Sequence, residues 1–442
     1  MLKEKLLEAA KSVLLKNWTG TFTKPAPNLY PHQWNWDAGF IALGYAHFDL
    51  AKAKQELRSL FKGQWSNGML PQIVFGQEKD AHYFPGPDFW KAHEASAHPK
   101  DAMTSGISMP PVHGFIIWRI FEIACKTNKK EARAFLEEMF PKVKKLHEYF
   151  YQYRDPNNEG LVYIRHPWEG GTDNSPIWDT VLRGINPAEL DIPPYERKDL
   201  QNPEAAKHRP TNLDYDRYVY LVDLFRRHQY DDDAIYQECP FLIQDPLFNA
   251  ALVWSNECLI KMGQEIGEEV GEIIHWNELS IYSLNEKLWD EDRGIYNAYD
   301  LKSDQLIPVF TNSGLMPMIG EVPTQEQAEE ILLTLEGPHF GGKDDEHFLC
   351  PTYSLQSENI DFQKYWRGPI WINMNWLLYQ GLLRYDMEDM AAKVKADTLH
   401  LIEEYGFYEY FDPRKSSTHN LACGTHQFSW TAALCIDLLM EE

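Results

Sequence analysis

Residues 111–153 read PVHGFIIWRIFEIACKTNKKEARAFLEEMFPKVKKLHEYFYQY, and this stretch decides the fold class. Apolar residues recur at helical spacing on both sides of a short polar link at 128–130, which predicts helices at 111–127 and 130–153. A link this short favours antiparallel packing of the helices that it joins. The stretch therefore predicts a helical hairpin.

The same periodicity continues along most of the chain. It predicts further helices at 2–17, 38–62, 212–229, 246–267, 271–289, 324–335, 367–384, 387–405 and 426–440. Long segments rich in aromatic residues, Pro and Gly separate some of them, at 18–37, 63–110, 154–211, 290–323 and 336–366. Helix pairs in succession predict an all-α toroid, an (α/α) barrel whose long loops form a pocket, although periodicity alone leaves another all-α array open.

Neither a Ser- or Gly-rich linker nor a charge block divides the chain. Residues 1–442 are therefore predicted to form a single domain, with long loop insertions around 63–110 and 154–211. At the helix starts, Thr324 with Gln327 predicts a capping box, and Asn212 or Asp214 is predicted to cap the helix that follows.

Charge and cysteine content exclude several classes of protein. The formal net charge of −24 argues against binding nucleic acid and fits poorly with an anionic membrane. The N-terminus has charges inside its apolar pattern, and no apolar run of about 18 residues occurs, so neither a signal peptide nor a membrane span is expected. Six scattered cysteines without CxxC or zinc spacing indicate reduced thiols in a cytoplasmic protein, with no metal or cofactor expected.

Aromatic residues make up 14% of the chain, including 15 Trp and 23 Tyr, and many lie in polar loops rather than on apolar faces. Flat amphipathic rings beside carboxylates are typical of sugar-binding sites, because the ring stacks on C–H faces while polar groups bind hydroxyls. This pattern favours a carbohydrate ligand; a large aromatic core is the alternative.

The loop HPWEGGTDNSPIWD (166–179) gathers three carboxylates and two tryptophans. A carboxyl group among indole rings is poorly solvated, so its pKa rises and it stays protonated, as a general acid for glycosidic-bond cleavage must be. Asp173 is the candidate, with an Asx turn or helix cap as the alternative role. Glu169 and Asp179 are rivals that are better suited to binding hydroxyls or supporting the loop.

Glycoside hydrolysis needs a second carboxylate on the other face of the sugar. The segment GFYEYFDP (406–413) places Glu409 among four aromatic residues. We interpret Glu409 as the candidate base, with an exposed turn as the alternative, and Asp412 as a turn residue beside Pro413.

Aromatic clusters also occur at 30–37, 365–371 and 425–430, where core packing is the alternative for Trp371 and Trp430, and a helix cap for Asp37. Arg209 lies in a long loop of an acidic protein. A guanidinium suits bidentate capture of a carboxylate, with an ordinary surface arginine as the alternative.

Four motifs in order, QWNWDAGF (33–40), HPWEGGTDNSPIWD (166–179), YWRGPIWINMNW (365–376) and FYEYFDP (407–413), make the chain resemble glycoside hydrolase family 63, especially its small bacterial mannosylglycerate and glucosylglycerate hydrolases. The resemblance implies an (α/α)6 barrel and an inverting α-glycosidase with Asp173 as general acid and Glu409 as general base. The positions that match residues near the substrate are Tyr30, Trp36, Asp37, Trp168, Arg209, Tyr215, Tyr365, Trp366, Trp371 and Gln427.

The resemblance assigns Arg209 and Tyr215 to a glycerate carboxylate. Met109 departs from it, because the family often has Gln before the Pro-Pro pair. The hypothesis is inverting release of glucose or mannose from a small α-glycoside, glucosylglycerate or mannosylglycerate. An α-glucosidase acting on neutral oligosaccharides and a non-catalytic sugar-binding protein of the same fold remain alternatives, and the oligomeric state stays open.

Overall fold

The computed structural model describes residues 2–76, 83–200, 206–343, 345–415 and 420–441, so parts of the predicted loops 63–110 and 154–211 lie outside the described residues. The longer helices are Leu2–Asn17, Asn35–Ala46, Leu50–Phe61, His113–Tyr153, Asn212–Arg227, Asp232–Glu238, Pro246–Ile266, Gly271–Ser283, Gln325–Glu336, Ile372–Arg384, Glu388–Tyr405 and Ser429–Met440. Shorter helical segments are Pro87–Trp90, Ala92–Glu94, Pro167–Gly170, Pro176–Trp178, Asp179–Arg183, Pro187–Glu189, Leu284–Leu288 and Asn312–Gly320.

The strands are short, and every pairing between them is antiparallel. Gln33–Trp34 pairs with Ile73–Val74, Trp289–Asp290 with Ile295–Tyr296, Ala298–Asp300 with both Ile243–Gln244 and Gln305–Ile307, and Tyr408–Phe411 with Ala422–His426. These ribbons brace the loops between helices and form no extended sheet.

The predicted hairpin at 111–153 is confirmed. The backbone leaves helical geometry at Asn128, with φ −153° and ψ 90°. Both ends of the stretch lie near the first half of helix Pro246–Ile266, and the turn lies near the end of that helix, so the chain runs along the helix and returns. The contacts are Pro111 with Ser255, Lys129 with Glu265, and Phe150 with Phe248.

Within the described part of the chain, six helical segments form a closed inner ring, in which each packs against the next and the last against the first. They are Asn35–Ala46, the first half of His113–Tyr153, Pro246–Ile266, Asn312–Gly320, Ile372–Arg384 and Ser429–Met440. Each alternates in sequence with an outer helix: Leu2–Asn17, Leu50–Phe61, the second half of His113–Tyr153, Gly271–Ser283, Gln325–Glu336 and Glu388–Tyr405. This alternation is an (α/α)6 barrel, which confirms the predicted fold class.

Some predicted element bounds are wrong. The segment 38–62 is two helices, because the Asp49 carboxylate accepts a hydrogen bond from Lys52 N and starts a new helix. The loop predicted at 290–323 contains the inner helix Asn312–Gly320, which is buried along its whole length and so lacks an amphipathic period. Thr324 forms the predicted capping box, whereas Thr211 takes the cap predicted for Asn212 or Asp214.

One apolar core extends through the barrel, from Ala10 near the start of the chain to Leu439 near its end. The six cysteines all lie in the described part of the chain, and each is a free thiol. None of the described helices is both long and apolar enough to cross a bilayer.

Candidate active site

A single pocket collects residues from motifs that are far apart in the sequence. It opens at the N-terminal ends of the inner helices Asn35–Ala46 and Ser429–Met440. The loops before helices His113–Tyr153 and Ile372–Arg384, the segment 168–215 and the strand Tyr408–Phe411 form its wall. Helix N-termini carry partial positive charge, which suits a pocket rich in carboxylates.

Ten of the predicted site residues line this pocket: Tyr30, Trp36, Asp37, Trp168, Asp173, Arg209, Tyr215, Tyr365, Trp366 and Glu409. Trp371 does not line it, because its ring stacks behind Trp366 with centroids 3.8 Å apart and planes 4° apart. Gln427 lies at a neighbouring cavity, beside Thr425 and His426. Trp371 and Gln427 therefore lie beside the pocket and do not line it, and their roles in substrate binding stay predictions.

The Asp173 carboxyl lies at the pocket without a donor from any other described side chain. Its backbone carbonyl accepts a hydrogen bond from the Tyr218 hydroxyl at 3.0 Å, which fixes the chain at this point. Burial raises the pKa of Asp173 well above its ordinary value; Arg209 opposes the shift, and the negative charge of Glu409 adds to it. This environment favours the protonated carboxylic acid.

Glu169, four residues earlier in the same loop, has the opposite environment. Its two carboxylate oxygens accept hydrogen bonds from Arg154 at 2.8 and 3.0 Å and from the backbone N–H groups of Ser108 and Arg165. Burial alone would raise the pKa of Glu169, but Arg154 and Arg165 lower it to about 2. Glu169 therefore supports the loop and is not a candidate acid.

Trp36 packs directly on this loop at Gly171. A side chain at that position would bring its Cβ within 2.6 Å of the Trp36 ring, and the backbone there has φ +73°. Glycine satisfies both requirements. Trp178 donates from its indole N–H to the carbonyl oxygen of Thr172 at 2.9 Å, so the loop is fixed immediately before Asp173.

Glu409 is surrounded by donors. Its Oε1 accepts from the Tyr30 hydroxyl at 2.6 Å, and its Oε2 accepts from Arg209 Nη2 at 3.3 Å and from the N–H and hydroxyl of Thr425 at 3.0 and 3.3 Å. A guanidinium and three further donors stabilise the carboxylate anion. The exposed-turn alternative is wrong, because Glu409 is buried.

An irregularity in the strand pair creates this arrangement. Tyr408 is opposite His426 and Tyr410 is opposite Cys423, so the second strand contains one extra residue at this point. The extra residue brings Gly424 and Thr425 against the carboxylate. Gly424 has φ +73°, and a Cβ there would lie 2.5 Å from Glu409 Oε2.

Arg209 is buried, so the surface alternative is wrong. Its Nη1 donates to the Tyr30 hydroxyl at 3.0 Å, and its guanidinium lies over the Tyr365 ring, 4.4 Å from the centroid. Its Nε is buried and has no hydrogen-bond partner among the described residues.

Asp37 is also buried at the pocket, and its carboxyl receives no hydrogen bond from another described side chain. Burial, together with the charge of Glu409, raises the pKa of Asp37 to about 8. The helix that contains it begins without a side-chain cap, so the cap alternative is wrong. Asp179 and Asp412 lie outside the pocket and pair with Arg367 and Arg414.

Several lining residues were not predicted from the sequence, among them Tyr83, Phe84, Lys198 and Asp199. They come from the long segments 63–110 and 154–211, where no local pattern distinguishes a wall residue from a surface residue. Met109 also faces the pocket, so the departure from the family pattern lies where a substrate would be bound.

Comparisons with known proteins agree with this geometry. The sequence model of a family described as mannosylglycerate hydrolase MGH1-like glycoside hydrolase domain matches residues 30–431. The mannosylglycerate hydrolase of Rubrobacter radiotolerans is 42% identical, over 99% of this chain and 97% of its own length. The glucosylglycerate hydrolase of Mycolicibacterium hassiacum is 33% identical, over 98% of this chain and 97% of its own length.

Comparisons with solved structures also match the chain to a glycoside hydrolase. The family 63 mannosylglycerate hydrolase of Thermus thermophilus, in complex with Tris and D-glycerate, matches with a TM-score of 0.89 and 40% identity, covering 98% of this chain and 99% of that one. The neutral trehalase of Saccharomyces cerevisiae matches at a TM-score of 0.59 and 15% identity, covering 95% and 73%, and so shares the fold alone. The resemblance to family 63 is confirmed.

Proposed function

Because the chain belongs to the mannosylglycerate hydrolase MGH1-like glycoside hydrolases of family 63, we propose that it hydrolyses mannosylglycerate or glucosylglycerate with inversion at the anomeric carbon. Relatives of both names match along nearly the whole chain. The glycerate in the Thermus thermophilus complex supports an acidic aglycone over a neutral oligosaccharide.

The observation that carries the mechanism is the pair of carboxyl groups in one pocket with opposite surroundings. Asp173 has no side-chain donor among the described residues and a raised pKa, whereas Glu409 accepts hydrogen bonds from Tyr30, Arg209 and Thr425. A neutral carboxylic acid can protonate a leaving group, and an anchored carboxylate can accept a proton from water. This pairing supports catalysis over a non-catalytic sugar-binding role.

In the proposed reaction, Asp173 donates its proton to the glycosidic oxygen as the bond to the anomeric carbon breaks. Glu409 takes a proton from a water molecule, whose oxygen forms the new bond on the opposite face of the sugar. The products are glycerate and a β-configured hexose. A second water-mediated exchange returns the proton from Glu409 to Asp173 and completes the cycle.

We assign the remaining lining residues to substrate binding. Trp36 and Trp366 offer flat faces to the C–H side of the sugar, and Asp37, neutral below a pKa of about 8, can donate a hydrogen bond to a hydroxyl. Trp371 supports Trp366 from behind. The aglycone carboxylate is assigned to Arg209 with Tyr215, since Arg209 is the buried cation of the pocket.

Proton NMR during turnover tests the proposal. Mannosylglycerate, glucosylglycerate, kojibiose and maltose are incubated with the wild type, Asp173→Asn and Glu409→Gln. The expected result is β-sugar released first from a glycerate glycoside, and lost in both variants. Initial release of α-sugar would overturn inversion, and turnover of the disaccharides alone would overturn the acidic aglycone.

We also propose that residues 1–442 form one domain that works in the cytoplasm. The continuous apolar core from Ala10 to Leu439 supports a single domain. Six free thiols are consistent with a reducing compartment. Limited proteolysis tests the first proposal, because a single domain resists cleavage into stable halves; fractionation of cells that express the tagged chain tests the second.

A further inference from the structure

The pocket that we assign to an acidic substrate has few cations to receive a carboxylate. Of its four carboxyl groups, Asp37 and Asp173 have raised pKa values that favour the neutral form, whereas Asp199 is paired with Arg197 and Glu409 with Arg209. Among the described lining residues, the cations are Arg209 and Lys198, and Lys198 is already paired with Glu196 at 2.7 Å. A glycerate carboxylate that enters this pocket therefore needs Arg209 to offset repulsion.

Arg209 is already in use by the candidate base. Its Nη2 donates to Glu409 Oε2 at 3.3 Å, which is long for a hydrogen bond between two charged groups. By contrast, the Tyr30 hydroxyl lies 2.6 Å from the other oxygen of the same carboxylate. The contact with Arg209, like that with the Thr425 hydroxyl at 3.3 Å, is thus one of the two longest bonds that hold Glu409.

A guanidinium can bind a carboxylate with two bonds through its Nε–Nη2 edge or, as Arg154 and Arg367 do here, through Nη1 and Nη2. Elsewhere in the described chain, arginines use the Nε–Nη2 edge for a carboxylate at 2.6–3.1 Å, namely Arg58 with Glu138, Arg197 with Asp199, and Arg414 with Asp412. In Arg209 this edge holds no bidentate carboxylate, because Nη2 contacts Glu409 while the buried Nε has no partner among the described residues.

We infer that the substrate's carboxylate takes the Nε–Nη2 edge of Arg209 and displaces Glu409 from it, so that binding of an acidic aglycone releases the base for catalysis. The inference rests on the proposed function, and it adds a reason why an acidic aglycone raises the rate and not only the affinity. Arg209 stays in place during the exchange, since Nη1 remains on Tyr30 and the guanidinium remains on Tyr365.

Glu409 also stays in place when its hydrogen bond to Arg209 is lost. The Tyr30 hydroxyl and both donors of Thr425 still hold the carboxylate. What it loses is the Arg209 donor on Oε2, which leaves a lone pair of that oxygen available to accept a proton from water. The exchange therefore increases reactivity without moving the group.

The test supplies the aglycone carboxylate as a free molecule, on a different molecule from the glycosidic bond that is broken. The wild type is incubated with α-mannosyl or α-glucosyl fluoride, substrates that leave the aglycone side of the pocket empty. Fluoride release is measured with and without free D-glycerate. Added D-glycerate is expected to raise the rate saturably by about tenfold, the effect of one hydrogen bond to a charged group, whereas glycerol is expected to have no effect. Equal rates with and without glycerate, or inhibition alone, would overturn the exchange.

Arg209→Lys tests the residue itself, because an ammonium keeps the charge but lacks the two-donor edge. The stimulation by glycerate is expected to disappear in this variant and to persist in Arg58→Lys, whose side chain is on the surface. Full stimulation in Arg209→Lys would overturn the inference.

Turnover of mannosylglycerate and glucosylglycerate is measured in the same preparations. Turnover without stimulation rejects the exchange alone, and absence of turnover of both rejects the proposed function together with the exchange.

Discussion

Glu409 and Asp173 are carboxyl groups of one pocket, yet their surroundings differ in almost every respect. Glu409 accepts four hydrogen bonds, one of them from a guanidinium. Asp173 accepts none from any other side chain in the described ranges, and burial raises its pKa. The comparison teaches that hydrogen-bond donors, not residue type or burial, separate a candidate base from a candidate acid.

The loop that contains Asp173 shows a similar contrast between two carboxyl groups only four residues apart. Burial tends to raise the pKa of Glu169, but two arginines lower it to about 2. Four residues later, Asp173 has a raised pKa in the same loop. The loop therefore uses one carboxylate as an anchor and presents the other to the pocket.

The largest effect is expected from Glu409→Gln. The amide keeps the shape of the side chain but cannot accept a proton from water, so kcat should fall by about 10²–10⁴-fold. Steady-state kinetics on a glycerate glycoside measures it. Glu404→Gln, an exposed position on helix Glu388–Tyr405, serves as the control and should leave kcat unchanged. A Glu409→Gln variant with wild-type kcat would show that Glu409 is not the general base.

Glu169→Gln should act on stability instead. Breaking a buried ion pair costs about 3–5 kcal/mol in the free energy of unfolding, because Arg154 is left buried without its partner. Asp179→Asn, in the same loop but with a partly exposed pair, should cost less than about 1 kcal/mol. Denaturant unfolding of both variants makes the measurement, and equal losses would contradict the anchor role.

The same pair has a pH signature. The pKa of Glu169 is depressed in the folded protein, so its contribution to stability is present above its unfolded value and lost as pH falls towards about 2. Glu169→Gln should therefore show a shallower loss of unfolding free energy on the acid side than the wild type.

Tyr30→Phe should have an intermediate effect on activity. It removes the 2.6 Å bond to Glu409 and the acceptor of Arg209 Nη1. Loss of a hydrogen bond to a charged group costs about 1.5–3 kcal/mol, which corresponds to about 10–150-fold in kcat. Tyr45→Phe, a buried tyrosine that bonds the Leu14 carbonyl away from the pocket, is the matched control. If both variants lose activity equally, Tyr30 does not position the base.

The smallest effect concerns pH. A general acid must be protonated, so kcat/KM should fall as pH rises through the pKa of Asp173, which burial raises and the charge of Asp37 raises further. Asp37→Asn removes that charge, and the alkaline limb of the pH profile should move to lower pH by less than about one unit. A limb that moves to higher pH would contradict the assignment.

Much of the barrel could be predicted from local periodicity, since the hairpin at 111–153 and most outer helices have one apolar face. The inner helix Asn312–Gly320 could not, because a short segment that is buried on every side and contains Pro317 has no polar face to reveal its period. The break before Leu50 depends on a single cap by Asp49 inside an otherwise continuous apolar pattern.

For the site, the composition of the loops predicted which of them contribute to the pocket, but not which of their residues contact each other. Tyr30, Arg209 and Glu409 meet across separations of 179 to 379 residues, so no local pattern encodes their contacts. Trp366 and Trp371 have similar sequence contexts, and only packing places one at the pocket and the other behind it. The roles of the site residues remain predictions.

The most direct test of the acid and base assignment compares leaving groups. Rates on mannosylglycerate or glucosylglycerate and on the matching glycosyl fluoride are measured for the wild type, Asp173→Asn and Glu409→Gln. Fluoride departs without a proton from an acid, so Asp173→Asn should lose about 10²–10⁴-fold on the glycerate glycoside and less than about tenfold on the fluoride. Glu409→Gln should lose activity on both. Equal losses on the two substrates in Asp173→Asn, or preserved fluoride hydrolysis in Glu409→Gln, would contradict the assignment.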